Sequence, residues 1–546
     1  MAEVVKFDNR IFIEPSVASR IVSNISNFGS PSSFGNICII DDGDGAGYGQ
    51  GKGAYGASSG RELSEFLQEF NSASEMKQFV RGGRMWDLAD NLFNPSTQGR
   101  GASKVFYIRA CKATTAKMTY TTVGADDLII NTLAEGEMAN GTIETISAVK
   151  YLKTGYGMTI EAGDTASTYV FKFWRGIYKG ADSDGLLYSG TPLADEVKAP
   201  ELLATSVECL TLDDFIAWAQ SSEDFNAYFS IDAGSDLTGA LAVGDISGFE
   251  TDTLFSGATE TYDTTSFDHV MSVISELDNS FFFSTKAGAN ADSANNLKII
   301  SHINNDAEFK KFLIVGGGLD GTKFTQADGS VPSAETLNTP WCILVHSGYE
   351  ITYPLGGVIP NYTKDAAYTA ALVCGRLSGL EPQTPLTFKQ INVGSMLHVL
   401  TQAQREVATQ AGVLHIRQVP QLGQVVNGAI NTLQLNTNMV NNDGTSYEIS
   451  IMRIQAQMNK ELNQFLLPNF IGSNIGNVLA TDLETSTEGY LQSIKKVEGG
   501  QDGMIVYYGN VKASRTGTTW YITYDFQANT PINKIFTTGT IVDLGN

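Results

Sequence analysis

Two short apolar runs lie far apart in the chain, and this separation constrains the fold most. The run NICII at 36–40 is predicted to be a buried strand, and the run WCILVHS at 341–347 is predicted to be another strand. Residues 116–335 between them are rich in Thr, Gly and Asp and contain strand patterns such as YVFKFW at 169–174. The sequence therefore predicts a core built from two distant parts of the chain, with β-rich structure inserted between them.

Helical and extended patterns on both sides of the inserted region support this division. RELSEFLQEF at 61–70 places Leu63, Phe66, Leu67 and Phe70 at helical spacing. The other predicted helices cover 73–93, 212–221, 362–379 and 400–412, the last closed by Gly412. The other predicted strands cover 104–110, 503–509 and 519–527, and residues 448–468 are predicted to begin as a strand and become a helix.

These patterns predict an α/β (α+β) core domain formed by the N- and C-terminal parts of the chain. The predicted divisions are an N-terminal arm at 1–25, the first part of the core at 26–115, one or two inserted β-rich outer domains at 116–335, the second part of the core at 336–515, and the last strands with a C-terminal arm at 516–546.

Both ends of the chain carry apolar residues in extended patterns. They are Val5, Phe7, Ile11 and Ile13 near the start, and Ile532, Ile535, Phe536, Ile541 and Val542 near the end. Exposed apolar strands promote aggregation unless they are paired. Each could pair within its own chain, or it could be donated to the sheet edge of a neighbouring copy. Head-to-tail donation that does not close would build a helical filament.

Charge and hydropathy limit the kinds of partner that the chain can have. The formal net charge of −23 repels nucleic acid and anionic membranes at long range, so we expect no direct nucleic-acid binding. The first ten residues lack the apolar core of a secretory signal, and no stretch reaches the ~18 consecutive apolar residues of a membrane span. We therefore expect no membrane insertion, and a secreted β-rich adhesin is disfavoured.

The cysteines and histidines suggest no metal site. Five cysteines occur far apart and without a CxxC pair, namely Cys38, Cys111, Cys209, Cys342 and Cys374, which favours assembly in a reducing compartment. Cys342 and Cys374 lie in apolar runs and are predicted to be core residues. The histidines are His269, His302, His346, His398 and His415, and none has the spacing of a metal-ligand motif. We expect no metal, no cofactor and no catalytic residues.

The Gly-rich loop at 41–60 contains two near-matches to catalytic motifs. A P-loop fails because Lys52 is followed by Gly53 instead of a hydroxyl residue, and because Ala46 stands where the first glycine is required. Gly56, Ser58 and Gly60 fit the letters of GxSxG, but no strand precedes the serine as a nucleophile elbow requires. A serine hydrolase using Ser58 remains a remote alternative.

The order of several segments resembles the tail sheath family of contractile bacteriophages. The segments are 66–110, with a strand ending at Arg109; TLAEGEMANGT at 132–142; 362–395; 400–417; 449–475, which contains LLPN at 466–469; and 525–541. The second departs from the family pattern, because Met138 and Ala139 replace a Trp and a Gly. Residues 145–335 resemble no family that we can name.

The resemblance implies a structural protein and not an enzyme. Such a subunit polymerises with copies of itself as stacked hexameric rings around an inner tail tube protein, in contact with baseplate and tail terminator proteins. Assembly takes place in the host cytoplasm, and the sheath of the virion tail contracts to drive the tube through the host envelope for genome delivery. Residues 448–495 are a candidate surface for the tube. The alternative is the sheath of a phage-derived injection particle or tailocin.

Overall fold

The computed structural model describes the chain in a series of ranges. They are 5–7, 10–12, 29–30, 35–41, 67–80, 83–109, 111–121, 127–136, 139–146, 149–176, 201–232, 253–262, 270–271, 274, 277–284, 294–306, 310–317, 323–351, 362–434, 446–495 and 503–529. The helices in these ranges are α1 (Ala73–Val80), α2 (Gly83–Phe93), α3 (Leu212–Ser221), α4 (Glu223–Asn226), α5 (Ala294–Asn305), α6 (Ser330–Leu337), α7 (Ala366–Ser378), α8 (Gln402–Gln410), α9 (Ile449–Phe470) and α10 (Ala480–Ser493).

The strands are short in the core and longer near the C-terminal end. They are β1 (Val5–Phe7), β2 (Arg10–Phe12), β3 (Gly29–Ser30), β4 (Asn36–Asp41), β5 (Gln68–Phe70), β6 (Lys104–Arg109), β7 (Cys111–Ala113), β8 (Thr115–Thr121), β9 (Asp127–Glu135), β10 (Thr142–Ile146), β11 (Val149–Thr154), β12 (Tyr156–Ala162), β13 (Tyr169–Arg175), β14 (Glu201–Thr205), β15 (Phe229–Ile231), β16 (Glu260–Tyr262), β17 (Phe281–Ser284), β18 (Phe312–Gly316), β19 (Cys342–His346), β20 (Tyr349–Ile351), β21 (Tyr362–Lys364), β22 (Ser395–Met396), β23 (Val413–Val419), β24 (Gly423–Val426), β25 (Met504–Thr516) and β26 (Thr519–Ala528).

An eight-stranded sheet forms the centre of the core, in the order β24–β23–β19–β18–β17–β4–β6–β5. The pairs from β23 to β6 are parallel, and the two outermost pairs are antiparallel. Parallel strands need long crossover connections, which helices such as α5, α6 and α7 provide here. Strands from the first 110 residues and from beyond residue 340 thus share one sheet, and the predicted α/β class is confirmed.

Two of the middle strands of this sheet come from within residues 116–335. β17 pairs with β4 on one side and with β18 on the other, and β18 pairs with β19. The apolar side chains Phe281, Phe282 and Phe283 are fully buried, as are Phe312 and Leu313. The central sheet therefore includes part of the span that the sequence pattern assigns to the inserted region.

The described residues between 115 and 258 form small antiparallel sheets and short helices around a second hydrophobic core. One sheet has the order β15–β9–β8 and another has the order β12–β13–β14. Aromatic rings fill the space between them and α3, including Tyr156, Phe171, Phe173, Phe215, Trp218, Phe225, Phe229 and Phe255. Thr211 begins α3 with a reciprocal capping box to Asp214, which explains why this helix starts where the sequence predicts.

A two-stranded ribbon joins this second core to the central sheet. β7 directly follows β6 in the chain and pairs antiparallel with β16, with Cys111 opposite Tyr262 and Ala113 opposite Glu260. The ribbon continues through a backbone hydrogen bond from Thr114 N to Thr259 O of 3.0 Å. The outgoing and returning segments of the chain are therefore neighbours.

Most predicted elements are confirmed, and two are corrected. Residues 68–70 form the edge strand β5 instead of the end of a helix, because Gln68 and Phe70 pair with Tyr107 and Val105 of β6. Residues 449–470 are helical from the start, so the strand predicted at the beginning of 448–468 is wrong. Tertiary packing overrides the local pattern in both places.

Helix α7 lies against the central sheet and α2, and nearly all of its side chains are buried. Its small residues allow close approach: a Cβ on Gly375 would lie 2.4 Å from Leu92 O and 2.7 Å from Asn91 O. Cys374 is fully buried beside it, and Cys342 lies in β19, so the predicted core position of both cysteines is confirmed.

We expect Gly375→Ala to lower the free energy of unfolding by about 1–3 kcal/mol, because the backbone of α2 must move away. The matched control is Gly489→Ala in α10, where no atom lies within 4 Å of the added Cβ. The control should stabilise the protein by about 0.5–1 kcal/mol, because alanine favours a helix more than glycine does. Denaturant unfolding of the purified protein measures both effects. Equal stabilisation by both substitutions would contradict the close packing.

Candidate functional site

The N-terminal residues predicted to form an arm lie in a hairpin of their own. β1 and β2 pair antiparallel, with Val5 opposite Phe12 and Phe7 opposite Arg10, and Ile11 lies in β2. Within the described ranges neither strand pairs with a third strand. An isolated two-stranded sheet is only marginally stable in water. The remaining predicted arm residues lie outside the described residues, namely Ile13, Ile532, Ile535, Phe536, Ile541 and Val542.

The C-terminal sheet, with the order β26–β25–β3, has long edges that no described strand covers. β25 and β26 pair over most of their lengths, but β3 covers β25 only at Met504 and Ile505. The inner face packs against α9 and α10, where Trp520, Ile522 and Tyr524 meet the buried residues of those helices. The outer edge of β26 and most of the second edge of β25 therefore present backbone groups that can pair with a further strand.

A second surface with the character of an interface follows the end of α9. Phe465, Leu467 and Ile471 are 39%, 42% and 38% exposed, and Leu479 is 61% exposed. We call residues 465–479 the α9–α10 corner. Large apolar side chains concentrated on an exposed segment are typical of protein contact sites. Met458, Leu462 and Leu466 of the same helix are buried, whereas Phe465 is exposed.

A buried chain of hydrogen bonds connects three residues that sequence spacing does not connect. Ser330 Oγ lies 2.7 Å from His346 Nδ1, and His346 Nε2 lies 3.1 Å from His398 Nδ1. The ring of Phe324 packs on both histidines. Burial lowers the pKa of His346 to about 3, and the nearby His398 and His415 act in the same direction. Ser330 and His346 are almost completely inaccessible to solvent, so this arrangement is suited to stabilising the core and not to attacking a substrate.

The described residues contain no group of three or more His, Cys, Asp or Glu side chains placed to hold a metal ion. The four cysteines whose side chains are described, Cys38, Cys209, Cys342 and Cys374, are buried free thiols. No helix in the described ranges has the length and hydropathy needed to cross a membrane. Ser58, which the hydrolase alternative requires, and most of the Gly-rich loop at 41–60 lie outside the described residues.

Comparison with known proteins identifies similar sequences and folds. No family model matches the chain. A tail sheath protein of Bacillus phage SP01 is 27% identical over 229 residues, which are 41% of this chain and 37% of that protein. The aligned segment thus spans well under half of the phage protein.

The fold is similar over a much larger share of the chain. The crystal structure of a sheath tail protein from Desulfitobacterium hafniense superposes with a TM-score of 0.51 at 13% sequence identity. The superposition covers 93% of this chain and all of the other. The resemblance predicted from the order of the sequence segments is therefore confirmed: the chain has the fold of a sheath tail protein and is similar in sequence to a phage tail sheath protein.

Proposed function

We propose that this protein is the structural subunit of a contractile tail sheath. It polymerises with copies of itself as stacked hexameric rings around an inner tail tube protein, between baseplate and tail terminator proteins. Assembly takes place in the host cytoplasm and the product is part of the virion tail. The observation that carries the proposal is the agreement between the sheath tail fold over 93% of the chain and the partial sequence similarity to a phage sheath protein.

Contraction of such a polymer drives the tube through the host envelope for genome delivery. The free energy comes from rearranged subunit interfaces, in a rigid-body switch between two packings, with no catalytic step. An extended sheath of this kind is held by a kinetic barrier until it is triggered. The sheath of a phage-derived injection particle or tailocin would contract by the same rearrangement of subunit interfaces but deliver a different cargo. It is therefore the second candidate.

Strand donation between copies would keep subunits connected while they move. The N-terminal arm residues Val5, Phe7, Ile11 and Ile13 and the C-terminal arm set defined above would add strands to the open edges of a neighbour's C-terminal sheet. The isolated hairpin of β1 and β2 supports this proposal, because so small a sheet gains stability from additional strands. The uncovered edges of β25 and β26 provide the complementary site.

Deleting residues 1–14 is the direct test of the arm. Negative-stain microscopy of the full-length protein should reveal hollow, transversely striated cylinders. The truncated protein should remain folded by circular dichroism but form no long cylinders, because it lacks β1 and β2. Deleting only residues 1–4 retains both strands and should leave polymerisation normal. Long cylinders from the larger truncation would refute the arm assignment.

The α9–α10 corner is the proposed contact with the inner tube, as expected for residues 448–495. Replacing both Phe465 and Leu479 by aspartate should weaken co-sedimentation with preassembled tubes, because two exposed apolar contacts become charged. The matched control is Leu202→Asp in β14, which is 46% exposed in the inserted region and should not affect tube binding. Equal loss in both variants would contradict a tube contact at this corner.

A further inference from the structure

Arg376 in α7 is a buried cation without a partner among the residues that the structure describes. The residue is only 7% exposed, and in the described part of the chain no acceptor or carboxylate pairs with its guanidinium group. Its Nε is sealed from solvent without an acceptor, and burial lowers the pKa of the group. Burying an unpaired charge is costly, so the isolated subunit gains nothing from an arginine at this position.

Gly99 provides the space that the Arg376 guanidinium occupies. A Cβ at position 99 would lie 1.7 Å from Nη1 of Arg376, so any other residue here would displace the side chain. Gly99 closes a tight turn with Ser96, and the intervening Thr97 and Gln98 are exposed. The guanidinium therefore lies directly beneath a surface turn, where another molecule can approach it.

The surroundings of the turn are basic in a chain that is otherwise strongly acidic. Arg100 follows Gly99 and is exposed. The whole chain has 59 Asp and Glu residues against 36 Lys and Arg. A second copy of the chain therefore presents many carboxylates and few competing cations to this site.

We propose that Arg376 receives a carboxylate from a neighbouring copy of the chain and that this ion pair forms only in the polymer. The planar guanidinium can donate two parallel hydrogen bonds to a carboxylate, which gives the contact both strength and a fixed orientation. The inference rests on the proposed sheath function and deepens it, because it places a subunit contact at the turn between α2 and β6. Assembly then offsets a destabilising feature that the free subunit carries.

Arg376→Met distinguishes this role from an ordinary structural one, because the free subunit should become more stable while its polymerisation becomes weaker. Below the polymerisation threshold, Tm should rise by about 2 °C or more, because an unpaired buried charge has been removed. The critical concentration for polymerisation, measured by sedimentation, should rise about tenfold or more, because a charge-assisted contact is lost. Arg376→Lys keeps the charge, so it should leave Tm near the wild-type value and restore part of the polymerisation.

Arg417→Met removes one exposed positive charge from β23 and controls for the change in net charge. Its Tm should equal that of the wild type. A lower Tm for Arg376→Met would overturn the inference, because the arginine would then stabilise the free subunit. A critical concentration for Arg376→Met equal to that of the wild type would also overturn the inference. A wild-type protein that forms no polymer would contradict the proposed function itself, and the inference with it.

Discussion

Replacing Arg453 by methionine is expected to lower the free energy of unfolding by about 3–5 kcal/mol. Arg453 in α9 is completely buried and donates hydrogen bonds to three carbonyl oxygens at the end of α7: Leu377 O at 3.0 Å, Leu380 O at 2.6 Å and Glu381 O at 3.3 Å. Methionine would leave these acceptors unsatisfied in the core, and each unmet acceptor costs about 1–3 kcal/mol.

The arginine also complements the α7 dipole, because a positive charge near a helix C-terminus is favourable. Its guanidinium carbon lies 5.6 Å from the centre of the Phe281 ring. Burial lowers the pKa of Arg453 to about 9, so the group remains charged at neutral pH. The three carbonyls and the ring are what offset the cost of that buried charge.

Denaturant unfolding of the unpolymerised protein measures the effect of Arg453→Met. Arg453→Lys retains the charge but not the fork of donors, so it should cost less than Arg453→Met. The contrast with Arg376→Met is the sharpest control, because both variants remove a buried arginine from the same region and only one removes hydrogen bonds. Wild-type stability in Arg453→Met would show that the carbonyls find other partners.

Acidification should destabilise the folded subunit steeply between about pH 6.5 and pH 5. Burial lowers the pKa of His346 to about 3 and that of His415 to about 4. Both pKa values lie below that of an unfolded histidine. As the pH falls below about 6.5, the unfolded chain therefore binds two protons that the folded chain does not bind. The stability is present above pH 6.5 and falls by about 1.4 kcal/mol per pH unit for each histidine.

His415→Leu isolates one of the two contributions. The buried Nε2 atom of His415 has no hydrogen-bond partner among the described residues, and Nδ1 lies 3.3 Å from Val413 O. Leucine can therefore replace His415 without the loss of a strong hydrogen bond. Relative to the wild type, the slope of unfolding free energy against pH should fall by about 1.4 kcal/mol per pH unit, which corresponds to one proton fewer taken up on unfolding. An unchanged slope would mean that His415 does not titrate on unfolding in this window.

The sequence predicts best those elements whose own residues specify them. The run NICII appears as β4, CILVH as β19 and LDDFIAWAQS as α3. Gly412 follows the end of α8 with a φ of 75°, the left-handed conformation that closes a helix. Short apolar strands and capped helices are determined locally, so the amino-acid pattern is sufficient for them.

The remaining features depend on contacts between distant residues. The run FFFS of β17 is too short to be distinguished from other apolar runs until it pairs with β4 and β18. The hydrogen-bonded set of Ser330, His346 and His398 spans separations of 16 and 52 residues, so no spacing motif could identify it. That Arg376 has no partner within the described ranges likewise depends on which distant residues the fold brings close to it.

The ribbon formed by β7 and β16 has a consequence for how chains of this fold can diversify. The polypeptide leaves the central sheet after Arg109 and comes back beside the same point, since Cys111 faces Tyr262. The segment between these two positions is thus connected to the central sheet by two adjacent strands. We therefore expect that this segment can be replaced, by evolution or by engineering, while the central sheet keeps its geometry.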